Sequence, residues 1–302
     1  MDKRESKVQS RISFHEQIAR NKRKSVFLVL IIILVIIGLA YVIGQVYGDP
    51  FLFLIIGTIV ALVYVTIGYY SSDKLALATV GAKEADTFRY RQYHNIVEAL
   101  CIASGMPKPR LYIMENSQIN AFASGRTPKN SVVCVTTGAL EKLNKQELEG
   151  VLAHELSHIA NYDIRFMTLT AVLVGMIAII SEIFLRSLWF RGSRNNDKNN
   201  AIFLIIGIVL AILAPIFVYL VQMAISRKRE YVADASAVKF TRSPTGLIGA
   251  LKKIKSEHII PEQSKKISKT MAPLFISNPF KNANLTSTHP AIEKRIEILE
   301  RM

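Results

Sequence analysis

His154, Glu155 and His158 stand in the run AHELSHIA at 153–160. On a helix, two histidines four residues apart project from one face, one turn apart, and both can reach one ion. Neutral imidazole suits Zn²⁺ at about 2.0–2.1 Å. Glu155 leaves the helix beside His154, near enough to meet a metal-bound water without ligating the metal. A carboxylate there takes the water's proton as the oxygen attacks a carbonyl, then passes it to the leaving amine. The spacing predicts a zinc-dependent peptidase with one Zn²⁺ per chain. Ordinary helix surface is the bland reading, and a chance match is improbable with only six histidines in the chain. A zinc site kept for structure alone would need ligands and no base, so Glu155 weighs against it.

A third ligand must come from elsewhere. The long metzincin form needs Gly at 161 and His at 164, where this chain has Asn161 and Ile164. Glu182 lies deep in an apolar run that, if helical, carries it roughly tens of ångströms away. Glu230 is the better candidate, in SRKREYVADASA just after the last apolar run, with Asp234 one turn on along the same face. A hairpin of two spans between the histidines and Glu230 returns the chain to the side it left; a single span would separate them. Asp234 can accept the second ring N–H of a ligand histidine and fix its tautomer. The alternative for the pair is a solvated acidic face among Lys228, Arg229 and Lys239.

The zinc helix is predicted to start near Asn144, with Glu147 placed as in a capping box, and Leu148, Val151, Leu152, Leu156 and Ile159 recur at helical spacing. Before it come a helix over 84–104, ended by Gly105-Met106-Pro107, and strands over 110–114, 119–124 and 131–137. After Ile225 the pattern gives helices over 228–241, 245–256 and 290–301, with a mobile Lys-, Ser-, Asn- and Pro-rich loop at 261–288.

Half the residues are hydrophobic and the formal net charge is +15. The apolar residues collect in runs at 26–43, 51–70, 166–185 and 201–225, each long enough to cross a bilayer. The basic residues lie beside these runs (Lys22, Arg23 and Lys24; Arg227, Lys228 and Arg229), the pattern of cytoplasmic anchoring on an anionic leaflet. No interleaved aromatics accompany them, which argues against nucleic acid. The chain divides into a basic cytoplasmic N-terminus (1–25), a transmembrane hairpin (26–70), a cytoplasmic protease domain with the zinc helix (71–163), a second apolar hairpin (164–225) and a cytoplasmic part supplying the third ligand (226–302). The basic loop at 190–200 would then lie outside, against the charge bias, so the two runs of the second hairpin span fully, cross incompletely, or line a cavity. Cys101 and Cys134 are too few for a disulfide framework and read as reduced, partly buried thiols.

AHELSHIANYD, SRKREYVADASA and the C-terminal THPAIEKRI, with the order of the four runs, resemble the HtpX family of membrane proteases, relatives of the CAAX prenyl proteases and Oma1-type mitochondrial proteases. The fold class expected is a mainly α integral membrane protein with four apolar helical runs, a small β-sheet and a gluzincin-like core. The resemblance implies a multi-pass protein of the bacterial inner or plasma membrane, its termini and active site cytoplasmic, cleaving unfolded or misassembled proteins in quality control and the stress response. It implies His154, His158 and Glu230 as ligands and Glu155 as base. Asn120, Ala121 and Phe122 would lie on a strand edging the cleft, where substrate adds as a further strand and Asn120 holds its backbone; a buried strand whose Asn caps a turn is the alternative. His289 and Arg295 match the family's C-terminal pair, with Arg295 at the substrate. His289 would donate to the oxyanion, cover the zinc at rest, or merely cap a helix. Partners implied are damaged or unfolded proteins, the lipid bilayer, and other membrane proteases or further copies of the chain. Processing of one defined peptide, prenylated or signal-derived, is the alternative activity. A non-catalytic zinc scaffold is the alternative class. His15, His94 and His258 are expected at the surface.

Overall fold

Gly48 and Asp49 reverse the chain between the first two helices. Gly48 takes a φ of 85°, Asp49 accepts from Leu52 N at 3.0 Å, and Pro50 occupies a first helical position, where its missing N–H has no intrahelical partner to lose. The computed structural model describes residues 14–170, 227–257, 271, 274–277 and 290–302. α1 (Phe14–Tyr47) and α2 (Pro50–Thr79) pair as an antiparallel hairpin. A Cβ at Gly57 would sit 2.3 Å from that of Ala40, so glycine sets how closely the two helices approach. Both helices outrun their apolar stretches, because the polar flanks 14–25 and 71–79 contain neither Gly nor Pro to stop them. Among the described residues, α2 is the one helix long and apolar enough to cross a membrane. Leu28 and Ile32 of α1 cluster with Phe166 and Leu169, in a helical stretch at 163–170.

The sheet runs in the order β1-β2-β4-β3. β1 (Lys83–Glu84) is antiparallel to β2 (Arg110–Met114), β2 is parallel to β4 (Asn130–Thr136), and β4 is antiparallel to β3 (Ala121–Thr127), which leaves β3 at an edge. Leu111, Ile113, Ala121, Ala123, Val133 and Val135 pack with Leu100 and Leu152. The alternate residues Met114, Phe122, Val132 and Cys134 pack with Ala76 and Leu77 of α2. An ion pair between Asp73 of α2 and Arg110 of β2 fastens the hairpin to the sheet. Cys101 and Cys134 are free thiols, and both are buried.

After the sheet come α4 (Thr137–Lys142) and α5 (Lys145–Ala160), which carries the histidines. Its capping box forms: Glu147 N donates to Asn144 Oδ1 at 2.9 Å and Asn144 N to Glu147 Oε2 at 2.8 Å. α6 (Arg227–Thr241) and α7 (Thr245–Ser256) lie against α5, and α8 (Ile292–Leu299) closes the chain. The α5–α7 crossing has no room for a side chain, since a Cβ at Gly150 would lie 2.4 Å from Leu247 N and one at Gly246 2.2 Å from Gln146 O.

Several boundaries differ from the sequence expectation. The helix placed over 84–104 begins only at Arg91, as α3 (Arg91–Ser104), because Lys83–Glu84 pairs with β2 and a turn follows. The strand placed at 119–124 starts at Ala121 and continues through Gly125, where the register shifts. His94 is tied to Ala85 O at 3.0 Å through Nε2 and is not a bare surface side chain. The apolar run 201–225, the part of 166–185 beyond residue 170, the 190–200 loop, nearly all of 261–288, and Glu182, His258 and His289 lie outside the described residues.

Candidate metal centre

α5 and α6 are joined side by side, with Ser157 Oγ donating to Ala233 O at 3.1 Å. That contact sets Glu230 of α6 against the histidine face of α5. The Nε2 atoms of His154 and His158 are 3.3 Å apart. Glu230 Oε2 is 3.6 Å from His154 Nε2 and Oε1 is 3.5 Å from His158 Nε2. All three side chains are buried. Ligands on a tetrahedron with metal bonds of about 2.0–2.1 Å stand about 3.3 Å apart. The Nε2–Nε2 separation matches that value and each imidazole has one Glu230 oxygen within 3.6 Å, so the donor set and its compactness fit zinc.

The remaining ring nitrogens are turned away from this cluster and paired. His154 Nδ1 is 2.9 Å from Asp234 Oδ1, and His158 Nδ1 is 3.1 Å from Asp163 Oδ2. Each carboxylate accepts a ring N–H and leaves Nε2 free to ligate. Asp163 has no place in the sequence reading. It follows His158 across a corner rather than along the helix, and Tyr162 turns that corner with a left-handed φ of 57°.

Arg295, expected at the substrate, is fully buried instead. Its Nη2 and Nε donate to the two oxygens of Asp234 at 2.6 and 2.9 Å, and its Nη1 donates to Ile276 O at 3.4 Å. The guanidinium fork holds the carboxylate behind His154 and also borders the cluster, with Nη2 3.3 Å from His154 Nδ1 and Nη1 3.6 Å from Glu230 Oε2.

Burial and the Arg295 guanidinium push the His154 imidazolium down, but hydrogen bonds to Asp234 and Glu230 outweigh both, and its pKa is pushed up to about 9. Burial also pushes Asp234 up, yet Arg295 and His154 hold it below the usual carboxylate range. The cluster thus has a strong demand for positive charge at the nitrogens, which a proton or a divalent cation can meet. Glu155 is buried, and its Oε1 has no hydrogen-bond partner among the described residues. Burial drives its carboxyl up; the two imidazoles and the Ala123 N–H pull it down less strongly.

Asn120, Ala121 and Phe122 begin the β3 edge, and the chain's own residues 275–277 lie along it. Phe275 bridges Phe122 in antiparallel sense, with the rings edge to face at 5.1 Å. Ile276 N donates to Ala121 O at 3.0 Å, and Asn120 Nδ2 donates to Ser277 O at 2.9 Å. Asn120 is buried by these contacts.

The profile of peptidase family M48 matches residues 87–302. Curated relatives named "Protease HtpX homolog" include one from Thermoanaerobacter pseudethanolicus, 44% identical over 96% of this chain and 98% of its own length. Others come from Dictyoglomus turgidum, 42% identical over 96% and 95%, and Lactobacillus helveticus, 40% identical over 95% and 99%. Among solved structures, Ste24p of S. mikatae shares the fold with a TM-score of 0.50 at 17% identity, over 94% of this chain and 66% of that one.

Proposed function

This chain belongs to peptidase family M48 and is a metalloprotease, and from that premise we propose that it is a multi-pass membrane zinc endopeptidase cleaving unfolded or misassembled proteins on the cytoplasmic side. The observation that carries this reading is the meeting of two Nε2 atoms and one carboxylate within ligand reach of a single ion, with the Glu155 carboxylate buried on the same helix. His154, His158 and Glu230 hold the ion. Bound there, zinc supplies a water acidified toward neutral pH and an electrophile for the peptide carbonyl. Glu155 takes the proton and delivers it to the leaving amine, while Asp234 and Asp163 keep both imidazoles in the ligating tautomer.

The α1–α2 hairpin inserts in the bilayer with its termini cytoplasmic. Exposed Phe27, Leu30, Leu34, Ile59 and Val63 support this, as do Lys22, Arg23 and Lys24 at the hairpin's base. Residues 171–226, which hold most of the runs 166–185 and 201–225, lie outside the described residues; a return of the chain to the face it left is supported by His154 and Glu230 lying within 3.6 Å of each other. Relatives named as proteases in bacteria support a bacterial inner or plasma membrane; the role is quality control, with damaged proteins, lipid and other membrane proteases or further copies as partners and no nucleic acid. His289 is assigned to the oxyanion or to the resting site.

Substrate adds at the β3 edge, where residues 275–277 must first give way. Replacing Phe275 by Ala removes the aromatic contact and is expected to raise the initial rate on an unfolded protein severalfold. An unchanged or lower rate would mean that substrate enters elsewhere.

A zinc titration of the chelator-stripped chain tests the reading. One ion should bind per chain. Because His154 holds its proton up to about pH 9, zinc must displace that proton at lower pH. Apparent affinity should therefore rise up to about tenfold per pH unit below about pH 9 and level off above. His154→Ala should weaken binding and flatten the slope. Absence of binding contradicts the assignment.

A further inference from the structure

Asn21 lies in the basic stretch before the first apolar run, between Arg20 and Lys22, where a solvated side chain is the ordinary outcome. It is instead 3% exposed. Its Nδ2 donates to Asp163 Oδ1 at 2.7 Å and to Asn161 O at 3.1 Å, spanning about 140 residues of sequence. The other oxygen of Asp163 is the one that meets His158 Nδ1. One carboxylate thus joins α1 to a ring nitrogen of the metal centre. The neighbouring contacts converge on the same corner. Lys22 Nζ sits 4.6 Å from the centre of the Tyr162 ring, and Ser25 Oγ donates to Asn21 O at 3.0 Å. Tyr162 is the residue in left-handed conformation, so docking of α1 covers the backbone turn that aims Asp163 back at His158.

We propose that Asn21 is a positioning residue of the metal centre, through which the first membrane helix holds Asp163 and thereby the His158 imidazole. The inference rests on the reading of His158 as a zinc ligand. A buried carboxylate shared between an amide donor and an imidazole keeps a single orientation. Without the amide it is free to turn toward other donors, and the imidazole loses its fixed orientation and tautomer. The hairpin that anchors the chain therefore also sets its affinity for zinc. A peptidase whose site is completed only when α1 is docked would be weak in zinc, and so inactive, while its anchor is misplaced.

The test is zinc affinity of the full chain in detergent, by competition with a chromogenic chelator at fixed pH. The thermal midpoint of the zinc-free protein is recorded alongside. Asn21→Asp sets a carboxylate against Asp163 and the Asn161 carbonyl, and is expected to weaken zinc binding by about ten- to a hundredfold. Asp163→Asn should do likewise. In the double variant Asn21→Asp/Asp163→Asn, the new amide at 163 can donate to the new carboxylate at 21 while its oxygen still accepts from His158. The carboxylate at 21 still faces the Asn161 carbonyl, so affinity should recover in part, to a loss clearly smaller than the product of the two single losses. If Asn21→Asp does not fold, Asn21→Ala, which only deletes the donors, is expected to weaken zinc about tenfold. Native affinity in the position-21 variants, or losses that add in the double variant, would overturn the proposal. So would a fall in thermal midpoint with no change in affinity, the mark of a merely structural contact. His158→Ala separates the two levels: unchanged affinity there would sink the ligand assignment itself, and this inference with it.

Discussion

Glu155→Gln is expected to slow peptide hydrolysis by about a hundred- to ten-thousandfold while zinc still binds at one per chain. Glutamine keeps the volume and can still accept a hydrogen bond from the Ala123 N–H, but it cannot take a proton from an attacking water. The side chain is 1% exposed, so bulk buffer has poor access to substitute for it. Burial raises its pKa, and activity should therefore fall as pH drops through that raised value, since a protonated carboxyl is no base. Initial rates on an unfolded protein, with zinc content of both forms, check the prediction. A variant retaining a tenth or more of the native rate would move the base to another group.

The second large effect expected is on stability. Arg295→Leu should destabilise the zinc-free protein by about 3–5 kcal/mol, the ordinary result of removing one partner of a buried ion pair. The guanidinium is fully buried and gives two hydrogen bonds to Asp234, itself 1% exposed. Its loss leaves a buried carboxylate with His154 as its remaining partner in that pair and removes the donor to Ile276 O. Arg295→Lys retains the charge but not the fork, so an intermediate loss is expected. Thermal unfolding in detergent measures both. Asp234 has a lowered pKa, so its contribution is present above its unfolded value and lost as pH falls through the folded one; the gap between native and Arg295→Leu proteins should narrow in acid. A midpoint unmoved by Arg295→Leu would show that the buried pair contributes nothing net.

How much of this was readable in advance depends on how local each signal is. The zinc helix was legible because its cap, its apolar spacing and its ligand pair all fall within 144–160. Glu230 was reachable from its place just after the last apolar run, and it does lie with His154 and His158. Asp163 and Asn21 were not reachable. One is set by the unusual backbone of Tyr162, and the other acts across 142 positions on a residue type that is usually solvated. The burial of Arg295 against Asp234 was not legible either: arginine is seldom fully buried, and nothing local signals that Asp234 will be there to receive it. The start of β3 slipped because both faces of that strand are buried, against α5 on one side and α2 on the other, which blurs the alternation of period two. The occupation of its edge by Phe275 and Ile276 depends on a segment whose composition reads as loop.

The central claim is that the His154–His158–Glu230 cluster is a zinc site at which peptide bonds are hydrolysed. The most direct measurement is cleavage of an unfolded protein by the full chain purified in detergent under chelation, before and after zinc is added back. Cleavage that is absent when stripped, returns at one equivalent of zinc and is lost again in Glu230→Ala is the result expected. Cleavage that persists undiminished in the stripped chain, or in Glu230→Ala, would contradict it.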